Sequence, residues 1–83
     1  MNITLHPHSL ERMSERGTSR EEIIRTVEDG EQFQAKFNRI GFRSNFKYDK
    51  EWNGKFYATK QLEVIAVPEK DELIIITVMV KYY

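Results

Sequence analysis

The sequence predicts an α+β fold, with an N-terminal two-helix hairpin packed on a twisted, mainly antiparallel sheet of four to five strands. Three observations predict it. Two helix signatures stand back to back before Gly30, each closed by a glycine. After Gly30 the spacing of apolar residues changes from about 3.6 to about 2. The 83 residues suffice for one small domain, 1–83, so the helices have only that sheet to pack on.

In chain order, residues 2–5 predict a short first strand with Ile3 and Leu5 on one face. Residues 7–16 predict helix one. Pro7 stands where a missing N–H costs nothing and φ is already helical. Gly17 stands where a left-handed residue ends a helix. Leu10, Met13 and Gly17 are expected on the core side. Ser19-Arg20-Glu21-Glu22 is a capping box that opens helix two, 20–29. Ile23, Ile24 and Val27 form its core stripe, Glu21–Arg25 is a supporting pair at i,i+4, and Gly30 closes it. The short Gly17-Thr18 link makes the two helices a hairpin.

Beyond Gly30, Phe33, Ala35 and Phe37 alternate with polar residues, and then Phe42, Ser44, Phe46 and Tyr48 do the same. Residues 38–41 are the expected turn between them. Residues 49–54, DKEWNG, end in Asn-Gly, the strongest short hairpin signal. A long strand is expected over 55–67 and a turn over 68–72. Residues 73–80, LIIITVMV, are apolar on both faces, which predicts a central strand covered on both sides. Lys81-Tyr82-Tyr83 ends the chain.

Thirteen Lys and Arg balance thirteen Asp and Glu, which argues mildly against a strong nucleic-acid binder. The charge is unevenly spread: residues 1–31 are net acidic, 32–83 net basic, and 32–48 hold Lys36, Arg39, Arg43 and Lys47 with no acid. Absence of cysteine removes disulfides, thiolate zinc sites and cysteine nucleophiles together. No apolar run approaches the roughly 18 residues of a membrane span. The expectation is a soluble cytoplasmic protein with no membrane partner. His6-Pro7-His8 is poorly set to chelate a metal, and no Gly-rich phosphate loop is present, so no metal or other cofactor is expected.

Within helix one, His8, Arg12 and Arg16 recur every four residues and form one stripe, each step roughly 6 Å along the axis. One imidazole and two guanidiniums on one face suit gripping a phosphate and moving a proton. The alternative is a solvated face with weak pairs to Glu11 and Glu15.

The run His8-Ser-Leu-Glu-Arg12-Met13-Ser-Glu-Arg16-Gly17-Thr-Ser19, followed by acidic residues and an Ile pair, resembles the opening of a short, uncharacterised branch of RelE/ParE-like toxins. Ile76-Thr77-Val78 matches the apolar strand that ends them. Ser9 stands where that branch usually has Ala, and Thr18 where it usually has Ile. The resemblance implies a RelE-like fold and either a metal-independent endoribonuclease of a toxin–antitoxin system or a non-catalytic module of the same fold that binds a protein or nucleic acid. Its implied partners are RNA, ribosome-associated mRNA included, and a cognate antitoxin.

Metal-free RNA cleavage needs a base for the 2′-OH, an acid for the leaving 5′-oxygen and a cation for the phosphate. His8 is the candidate acid or base, because its unperturbed pKa lies near ~6.5. Arg12 and Arg16 suit phosphate in bidentate fashion. Lys60, among Phe56, Ala58, Leu62 and Val64 on one strand face, is either a catalytic cation aimed into a cleft or a snorkelled stem. Thr77 is either a core hydroxyl or a substrate contact. Lys81, Tyr82 and Tyr83 offer a cation, a phenol or a stacking ring, or else fray. Arg43 and its neighbours, interleaved with Phe37, Phe42 and Phe46, form either an RNA or partner surface or an ordinary solvated sheet face.

Overall fold

A computed structural model describes residues 2–83. The chain runs β1 (Asn2–Leu5), α1 (Pro7–Arg16), α2 (Arg20–Asp29), β2 (Glu31–Ala35), β3 (Arg39–Trp52), β4 (Lys55–Glu69) and β5 (Glu72–Tyr82). The strands form one sheet in the order β1-β5-β4-β3-β2. Strands β2 to β5 are an antiparallel meander, and β1 joins β5 in parallel. The helical hairpin therefore carries the chain from one edge of the sheet to the other, and the meander brings it back beside β1. The architecture is α+β with a five-stranded mixed sheet.

Both helices lie on one face, α1 over β5 and α2 over β3 and β4. The core between the layers is Leu5, Ile23, Phe42, Leu62, Val64, Ala66, Leu73, Ile75 and Val78. Alternation along β4 buries Lys60, Leu62, Val64 and Ala66 in turn. The local signals act as their chemistry requires. The Ser19 hydroxyl accepts the Glu22 N–H at 3.3 Å. Gly17 sits at φ +77° and ψ +30° and closes α1. Asn53 and Gly54 both take positive φ, 52° and 84°, as a hairpin turn twisted to match its strands demands.

Four expectations need correction. Leu10 is 46% exposed, and Ser9 is the residue of α1 that is fully buried. The Ile75 carbonyl accepts both the His6 N–H and the Ser9 hydroxyl, each at 3.0 Å. These bonds set the rotation of α1 and turn Leu10 outward; a carbonyl at the end of the β1 pairing outweighs one leucine's burial. Phe37 is not a strand residue: the turn falls at residues 36–38, and Phe37 is 82% exposed at φ +59°. The turns after β3 and β4 are also tighter than expected, because β3 runs on to Trp52 and β4 through Pro68 to Glu69.

The fourth correction concerns β5. It has a strand on each side only over Glu72–Ile75, where β1 pairs with it, and the helices cover one face. Its run is apolar on both faces for another reason. Ile65 faces Thr77 and Ala66 faces Ile75, so Ile76 is an extra residue, a bulge. The inward set shifts there from Leu73 and Ile75 to Val78. Ile74, Thr77 and Met79 share the helix-free face with Val67, Ile65 and Glu63. The end of β5 does not fray, since Tyr83 exchanges both backbone hydrogen bonds with Thr59. Among the described residues no helix is long and apolar enough to cross a membrane.

Candidate functional site: a cationic cleft between helix one and the last strand

The bulge at Ile76 and the end of β1 leave an opening along β5, and α1 forms its other wall. The N-cap of α1 is His6, whose Nδ1 accepts the His8 N–H at 3.1 Å. From Ser9, which points at the sheet, each residue turns by about 100°. Arg16 then lies about 20° from the sheet direction, Arg12 about 60° and His8 about 100°. This drift grades the stripe. Arg16 reaches under the helix and donates to the Val78 carbonyl. Arg12 is half-buried and His8 exposed at the mouth.

The cleft holds about 220 Å³. His8, Ser9, Arg12 and Arg16 line it from the helix, and Ile76, Thr77 and Val78 from the strand. Among the described residues no carboxylate lines it, although the chain has as many acids as bases. The described ion pairs involve neither Glu11 nor Glu15, so the stripe is not neutralised by its helical neighbours. Arg12 makes no hydrogen bond or ion pair among the described residues. The arrangement can hold an anion of phosphate size against two guanidiniums, with an imidazole beside it.

Residues 5–80 match the family model described as Domain of unknown function (DUF4258). The chain belongs to this family. The match takes in both walls of the cleft, from the last residue of β1 through α1 to Val80. No curated protein and no solved structure matches the chain.

The other expected site residues of this DUF4258 domain lie elsewhere. Lys60 is 7% exposed, and its Nζ donates to the Gly17 carbonyl at 3.0 Å and to the Glu22 carboxylate at 2.8 Å. Thr18 donates to the same carboxylate at 3.0 Å. The ammonium thus fastens the α1–α2 link to the sheet, and Lys60 lines none of the cleft. Arg43 is on the helix-free face, between Glu63 at 2.9 Å and Glu31 at 3.3 Å and 4.6 Å over the Phe33 ring. Lys81 is on that face too, opposite Gln61.

Tyr82 lies on the helix side. Its hydroxyl donates to the Arg16 carbonyl at 2.9 Å, and its ring stacks on Trp52 at 4.9 Å and 19°. Burial, then the neighbouring Tyr48 and Glu22, push its phenol up to about 12, so it stays protonated and holds the end of α1. Of the eight residues singled out from sequence, the cleft gathers the side chains of His8, Arg12 and Arg16; Thr77 lines it from β5 at a position whose side chain belongs to the helix-free face. Sequence reasoning missed Ser9, whose place on the helix face opposite the solvent was masked by Leu10 beside it. Among the described residues no three His, Asp or Glu side chains gather as a metal site.

Proposed function

We propose that the cleft binds the phosphodiester backbone of RNA, and that the protein is a RelE/ParE-like, metal-independent endoribonuclease restrained by an antitoxin. The observation that carries this reading is the acid-free lining of the cleft, with two guanidiniums and an imidazole in a chain of zero net charge. Arg12 and Arg16 hold the non-bridging oxygens of the scissile phosphate. The His8 imidazole takes the 2′-OH proton as that oxygen attacks phosphorus. The bond to the 5′-oxygen breaks, leaving a 2′,3′-cyclic phosphate, and the imidazolium returns the proton to the leaving oxygen. One group serves as base and then acid, because Lys60 and Tyr82 are engaged elsewhere.

That engagement also favours a second reading, a module of the same fold that binds RNA without cutting it. One assay separates the two. Purified protein with a chelator present is expected to cleave single-stranded RNA to cyclic-phosphate ends, and His8→Ala to cleave about 100-fold slower or worse while still binding. Binding through Arg12 without cleavage establishes the module. Neither binding nor cleavage contradicts both.

A further inference from the structure

Arg16 also lines a second cavity, further along β5, of about 370 Å³. Glu15 and Arg16 contribute from α1, Val80 and Tyr82 from β5, and Trp52 and Asn53 from the end of the β3–β4 hairpin. The tight Asn53-Gly54 turn ends β3 at Trp52 and folds its indole back over Gly17, where a Cβ would lie 2.7 Å from two ring carbons. Tyr82 stacks on the indole and is itself hydrogen-bonded to the Arg16 carbonyl. The indole is therefore held in place, half-buried, with open space beside it. The polar character also changes. The cleft has no acid among the described residues, but this cavity has the Glu15 carboxylate and the Asn53 amide.

We propose that this cavity is a nucleobase subsite, so that the ligand is single-stranded RNA with its phosphate on Arg12 and Arg16 and the adjoining base against Trp52. This rests on the backbone-binding reading of the cleft. A rigid, pre-stacked ring offers a base a π-face without new ordering of the protein. A duplex is excluded, because the base must leave its own stack to reach the ring. A carboxylate only accepts hydrogen bonds, so Glu15 favours base edges that carry an amino group, with its two N–H donors, over uracil, which offers one ring N–H.

The chain has one tryptophan, so its emission reports this subsite alone. The probes are a 2′-O-methyl hexa-adenylate and an abasic 2′-O-methyl ribose-phosphate hexamer of the same length, neither of which can be cleaved. Both are expected to bind, and only the hexa-adenylate to quench Trp52 saturably. Trp52→Leu is expected to weaken hexa-adenylate binding about tenfold to a hundredfold and leave the abasic probe unaffected, with Trp52→Phe close to wild type. Hexa-uridylate is expected to bind more weakly than hexa-adenylate, a gap that Glu15→Gln narrows. Hexa-adenylate binding that Arg12→Gln weakens, with no change in emission, overturns the subsite and keeps the cleft reading. Quenching at an affinity untouched by Arg12→Gln overturns the cleft reading instead. No binding of either probe overturns both. Should Trp52→Leu fail to fold, the wild-type quenching decides.

Discussion

Arg12 and Arg16 differ by one turn of helix and by what they are free to do. The drift of the stripe around α1 brings Arg16 over the Val78 carbonyl and leaves Arg12 with an open guanidinium beside the same cleft. Counterion release makes this difference measurable. Arg12→Gln is expected to lower the salt slope of single-stranded RNA binding by about 0.7, the share of one phosphate contact, with the fold intact. An unchanged slope would remove Arg12 from the site. Gly17 is constrained twice over: it holds φ +77°, and an added Cβ would meet the Tyr82 hydroxyl at 2.4 Å. Gly17→Ala is expected to cost about 2 kcal/mol or more in denaturant unfolding.

Tyr82 gives the same region a pH dependence. Its folded pKa is raised, so the folded state holds the phenolic proton more tightly than the unfolded one. The stability this contributes is complete below about pH 10 and is lost as pH rises towards 12. Tyr82→Phe is expected to flatten that loss in thermal melts between those limits, after allowance for its missing hydrogen bond to Arg16.

At the scale of elements, the Lys60–Glu22 pair joins the helical hairpin to β4. Removing the cation alone leaves a carboxylate three-quarters buried without its partner. Lys60→Met is expected to destabilise the fold by about 2–3 kcal/mol, and Lys60→Met with Glu22→Leu to recover most of it. Neither change is expected to alter RNA affinity more than twofold, since Lys60 lines none of the cleft. A large affinity loss in the stable double variant would return Lys60 to the site.

The elements differ in how legible they were. Both helices and their ends could be read from Pro7, Gly17, the Ser19 box and Gly30, because capping is settled within a few residues. The rotation of α1 could not, because it depends on the Ile75 carbonyl, 66 residues from Ser9. The bulge at Ile76 was equally hidden, since LIIITVMV is apolar at every position that a bulge would shift except Thr77. The charged residues split the same way: the stripe His8, Arg12 and Arg16 followed from helical spacing alone, whereas the posts of Lys60 and Arg43 depend on Glu22, Glu31 and Glu63 arriving from other elements.

At the scale of the molecule, the meander and hairpin leave the sheet with one covered and one open face, and β5 with strand neighbours on both sides over only part of its length. The cleft exists because three boundaries coincide: β1 stops at Leu5, α1 starts at once, and β5 bulges at Ile76. Charge follows the same division. The open face carries the Arg43–Glu63–Glu31 cluster, in which the cation is matched, and the cleft carries cations without a match. Amide chemical-shift mapping during titration with the abasic 2′-O-methyl ribose-phosphate hexamer tests this most directly. Saturable shifts are expected to gather at residues 8–16 of α1 and 76–78 of β5, the two walls of the cleft. Shifts confined to the open face around Arg43, Glu63 and Lys81, or no saturable shift at all, would contradict that.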